Sequence, residues 1–572
     1  MKNDIIALGI HDGHGAGAAL IKNGCALAAI SEERLNNIKN YSGTPIQSVK
    51  KVLQVAQVHP SEVDIIAISG LLRTHSPLKE RPFHIKLYQK MTPYLHSHAF
   101  CNLIVKVLHR YRKIDELKSL FEELEMMKPE LFFIEHHLAH AACAYYQRPW
   151  EDETLVLTLD GAGDCLSSTV NIGRNFTIER IASSTHYDSP SNNFYSEITG
   201  YFGLKRWEHE YKVMGLAPYG RSEYCMKEMR KIVRINPKKP LEFQNTSGAY
   251  LSQLQPKLQK ILAEQRFDNI AAACQTYFEE IVSQWVKNCV EKTGIHKVTC
   301  SGGSFLNVKV NKIIREMEEI EDVFFYPGAD DTGTPIGAAL EAYYIFCRRN
   351  GVKPNRSMLK DLYYGAEYDD GYIKMILQKT GWLEKARYIE GIESEIASLL
   401  ANGKVIARFA GRDEWGPRAL GNRSILADPR DLRVIRKLNF AIKQRDFWMP
   451  FTPSILEERM NDYLVDARPA RYMIEAFDTT AKADELISAT HPYDKTARPQ
   501  TVNEWNPSYR KTLEAFQDIT GVGGVLNTSF NLHGFPIVGT PEIALQTFAN
   551  SGLDGLAIGN WLVEKKLSSS IM

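Results

Sequence analysis

One stretch of this chain occurs twice, and the repeat constrains the fold more than any other feature. Residues 5–35 read "IIALGIHDGHGAGAALIKNGCALAAISEERL", and residues 154–184 read "TLVLTLDGAGDCLSSTVNIGRNFTIERIASS". In each copy an apolar run enters a glycine-rich loop carrying an aspartate. A second run follows, then a tight turn ("KNG" or "NIGRN") and a third run. That order predicts antiparallel strands around a short loop. The duplication predicts two related lobes, each opening on such a hairpin. Loops of this type present backbone N–H groups that can cradle phosphate, with an acidic residue near the cation. Gly-Asp turns between strands are common, so the phosphate reading rests on the two copies with matching flanks. "VTCSGGSFLNVKVNKIIRE" (298–316) reads as a strand, Gly302–Gly303 and then a helix, placed after the second hairpin.

Between the copies lies "EHHLAHAACAYY" (135–146), an alanine-rich stretch without glycine or proline that favours helix. On a helix His136 and His140 are one turn apart and share a face. His137 lies about 100° round from His136, so it can replace one of the pair but hardly join both. Neutral imidazoles one turn apart are metal-competent, and a core-facing or capping histidine cluster is the competing reading. The segment is not the HExxH of a zinc protease, because no glutamate follows the first histidine. Further on, "FFYPGADDTGTPIGAALEAYYIF" (324–346) sets Asp330 and Asp331 ahead of a Gly/Ala-rich helix. These two aspartates are candidate helix caps. Read with the histidines, Asp331 supplies a hard ligand, and Asp160 of the second loop another. Two imidazoles with carboxylate oxygens suit a divalent iron-type or zinc ion.

The 572 residues are enough for two or more domains. A formal net charge of +1 gives no global pull toward nucleic acid or a membrane surface. No stretch approaches 18 apolar residues and the N-terminus has no long apolar core, so a cytoplasmic protein without spanning or targeting segments is expected. The nine cysteines lack CxxC spacing and sit among apolar neighbours, as buried thiols in a reducing compartment would. None follows Cys347, and the polar stretch after it predicts a boundary near 350–367, dividing the chain into domains 1–360 and 368–572.

The second domain opens on a basic segment. Between residues 408 and 445 there are ten Arg/Lys against four Asp/Glu. A solvated helix face accounts for "RVIRK" but not for Arg418 in "GPRALGNRS", where glycine and proline fix the backbone around guanidinium groups. Arginine forks on rigid loops suit phosphate or carboxylate. Downstream, His491, Arg498, Asn527 and Ser529 add polar groups, the last two in "GVLNTSFNLHGFPIV". Asn-Thr-Ser is most often turn chemistry, yet beside an arginine-rich site it also offers donors to a phosphate or carbamoyl oxygen.

Taken together, the chain resembles the O-carbamoyltransferases that decorate antibiotics and nodulation factors. The resemblance runs nearly the whole length through "HGAGAALIKNG", "SEER", "HHLAHAA", "TLDGAGD", "EYKVMGLAPYG", "GGSFLNVKVN", "DDTGTPIGAAL", "GRDEWGPRALGNRSILADPRD", "KQRDFWMPFTPSILEE" and "LNTSFNLHGFPIV". It implies an α/β fold, with an actin-like (Kae1-like) two-lobed N-terminal domain and a YrdC-like α/β C-terminal domain. By that resemblance the C-terminal domain makes carbamoyl-adenylate from carbamoyl phosphate and ATP. The N-terminal domain then passes the carbamoyl group to an acceptor hydroxyl at a metal–nucleotide site.

His136, His140, Asp160 and Asp331 fall on the metal positions, with Fe2+ the implied ion and Mg2+ admitted beside the nucleotide. Lys212, Gly302, Gly303 and Asn307 fall at the nucleotide, and Arg418, Lys443, Arg498, Asn527 and Ser529 in the YrdC-like pocket. The family's "HD.SAAL" reads here His14-Gly15-Ala16-Gly17-Ala18, losing an aspartate and a serine, and "EEER" reads "SEER". His14 is kept, and histidine is the usual base for an acceptor hydroxyl.

The expected substrate is a small hydroxylated natural product held by loops such as 70–130 and 186–210, with no nucleic-acid or membrane partner. A homodimer is the default oligomer. A threonylcarbamoyl-type tRNA-modifying enzyme is the nearest rival, disfavoured by its order of parts and the missing basic face. A protein-carbamoylating maturation factor would bring CxxC zinc fingers. A non-catalytic nucleotide-binding scaffold would not need Arg418, Lys443 and the metal residues intact.

Overall fold

The computed structural model describes residues 4–73, 90–112, 114–126 and 128–565. They fall into two compact units. One comprises Met1–Glu32 and Tyr41–Leu359, the other Glu33–Asn40 and Lys360–Met572.

The first unit holds two five-stranded sheets with one plan. In the first sheet, β1 (Ile6–His11), β2 (Gly17–Lys22) and β3 (Cys25–Ser31) form an antiparallel meander, and β4 (Ile65–Ser69) and β5 (Glu130–Ile134) add in parallel on the other side of β1. The order is β3-β2-β1-β4-β5. The second sheet repeats it. There β6 (Thr154–Gly163), β7 (Leu166–Arg174) and β8 (Thr177–Thr185) form the meander. A separate antiparallel ribbon of β9 (Val233–Asn236) and β10 (Lys239–Asn245) follows. Then β11 (Lys297–Ser301) and β12 (Asp322–Phe325) extend the sheet in parallel beside β6. The order β12-β11-β6-β7-β8 is the first sheet's order again. The repeated hairpins at 5–35 and 154–184 are therefore the meanders of two equivalent lobes, the actin-like plan that the resemblance implies.

Two helices tie the lobes together. Helix His136–Gln147 follows β5 of the first sheet but packs on β6, β7 and β11 of the second. Helix Thr334–Asn350 follows β12 of the second sheet but packs on β1, β2 and β4 of the first. Where the helices meet, a Cβ on Gly337 would sit 1.9 Å from the Ala139 carbonyl oxygen. Only a hydrogen at that position lets the backbones approach so closely.

In the second unit one eight-stranded mixed sheet runs β13-β20-β19-β14-β15-β18-β16-β17. Its strands are β13 (Ala386–Tyr388), β14 (Ile406–Phe409), β15 (Arg423–Ala427), β16 (Thr452–Leu456), β17 (Gln500–Val502), β18 (Gly524–Ser529), β19 (Gly555–Ile558) and β20 (Trp561–Glu564). Both faces are covered. Strand alternation sends Ala407 and Phe409 into one apolar core and Ile406 into the other. The short excursion Glu33–Asn40 belongs to this unit although it lies in the first repeat. Buried Arg34 accounts for it, donating to the Gly416 carbonyl at 2.9 Å and lying 3.5 Å from Asp413. A long-range guanidinium contact of this kind leaves no trace in composition, which pointed only to the crossing between the units near 350–367.

Gly337→Val is expected to destabilise the first unit by about 1–3 kcal/mol, the cost of forcing an overpacked contact apart. Chemical denaturation should show a lower midpoint, and an unchanged midpoint would contradict the helix crossing.

Candidate functional site

The helix crossing brings four side chains to one point. His136 and His140 lie one turn apart on their helix, and their Nε2 atoms are 3.1 Å from each other. Asp160, on β6, places Oδ2 at 3.4 Å from His136 Nε2. Asp331, just ahead of the Thr334 helix, places Oδ1 at 3.5 Å from His136 Nε2 and 3.4 Å from His140 Nε2. All four donor atoms lie within 4.8 Å of one another. Donors about 2.1 Å from a common cation are spaced about 3.0–3.4 Å apart in octahedral or tetrahedral geometry, so the set fits a divalent ion. His137 turns away, its Nδ1 2.8 Å from Thr158 Oγ1, and burial drops its pKa to about 3, leaving it neutral.

Each ligand is held from behind. His140 Nδ1 faces Ser301 Oγ at 3.4 Å. Asp160 Oδ1 accepts from the Gly303 amide at 2.9 Å. Gly163 is what lets His136 stand where it does, because a Cβ there would fall 2.0 Å from His136 Cδ2. Of the two loop aspartates, Asp330 is the cap, accepting from Thr332 N at 3.2 Å, which frees Asp331 to face the imidazoles. Without an ion, burial works against charge on His136, yet Asp331 and Asp160 raise its pKa to about 10. The two carboxylates make this a cluster that positive charge stabilises.

The helix start is built with equal care. Glu135 caps it, accepting from His137 N and Leu138 N at 3.0 and 2.9 Å, and pairs with Arg180. Burial pushes the Glu135 pKa up, but Arg180 and His137 overcome that and hold it at about 2. Asp164, on the β6–β7 turn, accepts from the amides of His136 (2.8 Å), Leu71 (2.8 Å) and Leu72 (2.7 Å). Neither acid stood out in the sequence; "DGAGD" held the second in plain view.

The N-terminal loop lies against this cluster. A Cβ on Gly15 would come 3.1 Å from Thr332 Cγ2 and 3.9 Å from Asp331 Cβ. The Gly15 and Ala16 amides, candidates for cradling phosphate, both donate to the Tyr41 carbonyl at 3.0 and 3.1 Å. His14 is exposed on the loop, and its carbonyl is 3.1 Å from His11 Nε2. His11 is the histidine that sequence reasoning passed over. It is buried 4.0 Å from Asp331 Oδ2, and burial lowers its pKa to about 4 despite Asp331, so it stays neutral there. Asp12 beside it is bound by buried Arg112 at 2.6 Å and by Arg73 at 3.6 Å.

The residues assigned to the nucleotide have structural work as well. Gly302 has φ +104° and no room for a Cβ, which would meet the Leu159 carbonyl at 2.3 Å. Asn307 caps helix Val308–Arg315 and pairs with Gln275. Lys212 is half-buried on helix Glu210–Leu216. Of the acceptor segment 70–130, residues 74–89, 113 and 127 lie outside the described residues.

In the second unit the basic segment separates by role. Arg408 is buried and spent on the Gly421 carbonyl, Asn422 Oδ1 and Ser508 Oγ, while Arg423 binds four backbone carbonyls and lies 3.7 Å over the Phe409 ring. Arg430, Arg433 and Lys437 pair with Asp428, Asp431 and Asp554. Arg418, Lys443, Arg445 and Arg498 form a different group. Arg498 Nε is buried without a protein acceptor, and burial, then Arg418 and Arg445, lower its pKa well below the ordinary value. Lys443 is buried and donates to neutral oxygens of Ser529 and Asn531, and burial, then Arg445 and Lys39, lower its pKa as well. Cations facing cations are costly until an anion arrives. Asn527 lies nearby in sequence, fully buried, donating to Ser454 Oγ at 3.0 Å and the Ala419 carbonyl at 3.2 Å. His491 instead closes its own turn, 3.2 Å from Asp494.

Family models described as the carbamoyltransferase N-terminus and C-terminus match residues 6–340 and 397–565. The chain belongs to the carbamoyltransferase family. It is 31% identical over 578 residues to nodulation protein NolNO of Sinorhizobium fredii, covering 98% of this chain and 80% of that protein. It is 32% identical over 443 residues to nodulation protein NolO of Bradyrhizobium diazoefficiens, covering 76% and 79%. Among solved structures, component A of the (R)-2-hydroxyglutaryl-CoA dehydratase of Acidaminococcus fermentans is 15% identical with a TM-score of 0.34, covering 60% of this chain and 99% of that one. Membership makes this carbamoyltransferase an enzyme that transfers carbamoyl groups. Among its described residues no helix is long and apolar enough to cross a membrane.

Two outcomes are expected. His136→Ala with His140→Ala should lose the ion, giving less than a tenth of the wild-type metal content by elemental analysis of protein loaded with Fe2+. Glu135→Ala should cost about 1–2 kcal/mol as a lost cap. Because the Glu135 pKa is depressed on folding, from 4.5 to about 2, that difference is complete above pH 4.5 and shrinks as pH falls toward 2. Denaturation curves across that range measure it.

Proposed function

We propose that the chain is an ATP-dependent O-carbamoyltransferase that uses carbamoyl phosphate, by way of carbamoyl-adenylate, to carbamoylate a hydroxyl of a small natural product. The observation that carries this reading is the cationic group of Arg418, Lys443, Arg445 and Arg498, in which neighbouring charges repel. In a family that transfers carbamoyl groups, the anions suited to such a group are carbamoyl phosphate and the phosphates of ATP. There water cleaves carbamoyl phosphate to carbamate and phosphate, and a carbamate oxygen then bonds the α-phosphorus of ATP as pyrophosphate leaves. Fixed cations stabilise the charge that develops on those leaving groups.

The acceptor step belongs to the first unit. Its hydroxyl attacks the carbamoyl carbon, AMP departs, and a base takes the hydroxyl proton. His14 suits the base because it is exposed on a loop that abuts Thr332 and Asp331. His136, His140, Asp160 and Asp331 would hold the divalent ion, which supplies positive charge to adenylate phosphate or acceptor oxygen. His11, buried and neutral, positions the His14 loop through its bond to the His14 carbonyl. Lys212, Gly302, Gly303 and Asn307 are assigned to nucleotide contact, and Asn527 and Ser529 to the adenylate-forming pocket.

Isotope exchange separates the two half-reactions. Arg418→Ala should abolish carbamoyl-phosphate-dependent ATP–pyrophosphate exchange, a loss of about 2–5 kcal/mol for a desolvated charge contact. His14→Ala should keep exchange while product formation falls about 10²–10⁴-fold. Preformed carbamoyl-adenylate should restore product to the Arg418 variant and not to the His14 variant. Equal loss of exchange in both variants would refute this division of labour. The acceptor is found by mass spectrometry of a panel of hydroxylated natural products, each carbamoylation replacing one hydrogen by a carbamoyl group.

A further inference from the structure

A second cluster of metal-binding side chains lies outside the carbamoyl chemistry. All nine cysteines are free thiols, and seven are buried among the core. Cys101 and Cys165 differ from the rest in meeting each other and a histidine. Cys101 sits in the first turn of helix His98–His109, Cys165 on the β6–β7 turn beside Asp164, and His186 just after β8. One ligand atom from each lies within 4.8 Å of the other two. Cys101 and His186 are buried and Cys165 is half-buried. We propose that Cys101, Cys165 and His186 form a zinc site, separate from the His136/His140 centre.

Two observations support that assignment. Two soft sulfurs and an imidazole are a donor set that selects zinc over magnesium or calcium. The histidine is also oriented as a ligand: its Nδ1 lies 3.1 Å from the Cys165 carbonyl, and its backbone amide donates to the same carbonyl at 3.0 Å. With Nδ1–H given to a carbonyl, Nε2 carries the lone pair, the outer-sphere arrangement that metal-bound histidines use. Three protein ligands leave a fourth position for water.

Each sulfur binds as a thiolate. Two S–Zn bonds and one N–Zn bond form, the thiol protons pass to solvent, and no oxidant takes part. The consequence for the fold is local. Cys165 follows Asp164, whose carboxylate holds the amides of Leu71, Leu72 and His136, so the ion would fasten helix His98–His109 to the turn that anchors the first centre.

The test uses the full chain purified anaerobically, in a His136→Ala/His140→Ala background so that the first centre cannot contribute. Zinc-loaded protein should retain one equivalent by elemental analysis, and adding Cys101→Ser with Cys165→Ser should bring it below a tenth of an equivalent. As a check independent of those variants, the metal-free chain titrated with Co2+ should develop thiolate-to-cobalt charge-transfer absorption. One equivalent of Zn2+ should bleach it, and the same zinc should slow alkylation of Cys101 and Cys165 at least tenfold in peptide maps. Zinc retained by the double cysteine variant overturns the proposal. So does cobalt spectroscopy without thiolate bands, or a Cys101–Cys165 disulfide in the anaerobic protein in place of metal.

Discussion

The first unit depends on one close contact, the approach of the His136 and Thr334 helices where Gly337 faces the Ala139 carbonyl. Each helix follows one sheet and packs on the other, so the crossing joins the two lobes and sets what lies at the helix starts. Histidines one turn inside one helix then face an aspartate just ahead of the other. A larger residue at 337 would separate the backbones, and the donor spacings of 3.1–3.5 Å could not be kept. The candidate metal site is thus a product of helix packing as much as of ligand chemistry.

The two units carry opposite kinds of imbalance. In the first, carboxylates and imidazoles converge in a buried place, and in the absence of an ion Asp331 and Asp160 hold a proton on His136 far above its ordinary range, against burial. In the second, Arg498 and Lys443 are depressed by burial and by other cations. One arrangement gains from a cation and the other from an anion. The proposed reaction, with donor activation in one unit and delivery in the other, would use both.

Much of this was legible residue by residue. The hairpin repeat marked the two lobes, because a meander around a tight loop needs the same alternation and turn residues wherever it occurs. Helical spacing singled out His136 and His140 and set His137 apart, and His137 does face Thr158 instead. The basic run at 408–445 was less transparent. Many of its arginines satisfy carbonyls or local aspartates, which charge alone does not reveal; Arg418 stood apart only through its glycine- and proline-rich loop and the family resemblance. Glu135, Asp164 and His11 were missed for a related reason: their roles lie in contacts to backbone amides and carbonyls that have no spacing rule.

Sequence by itself determined the duplicated strand pattern, the helix bearing the paired histidines and the family to which the chain belongs. These are local properties, written in periodicity, turn chemistry and short motifs. Only the tertiary structure decided which of Asp330 and Asp331 faces the imidazoles, why Gly163 and Gly337 must lack side chains, and that Glu33–Asn40 belongs with the second unit. It also brought Cys101, Cys165 and His186 together from a helix, a turn and a strand end. Such meetings depend on the path of the backbone between distant segments, and no spacing in the chain records that path.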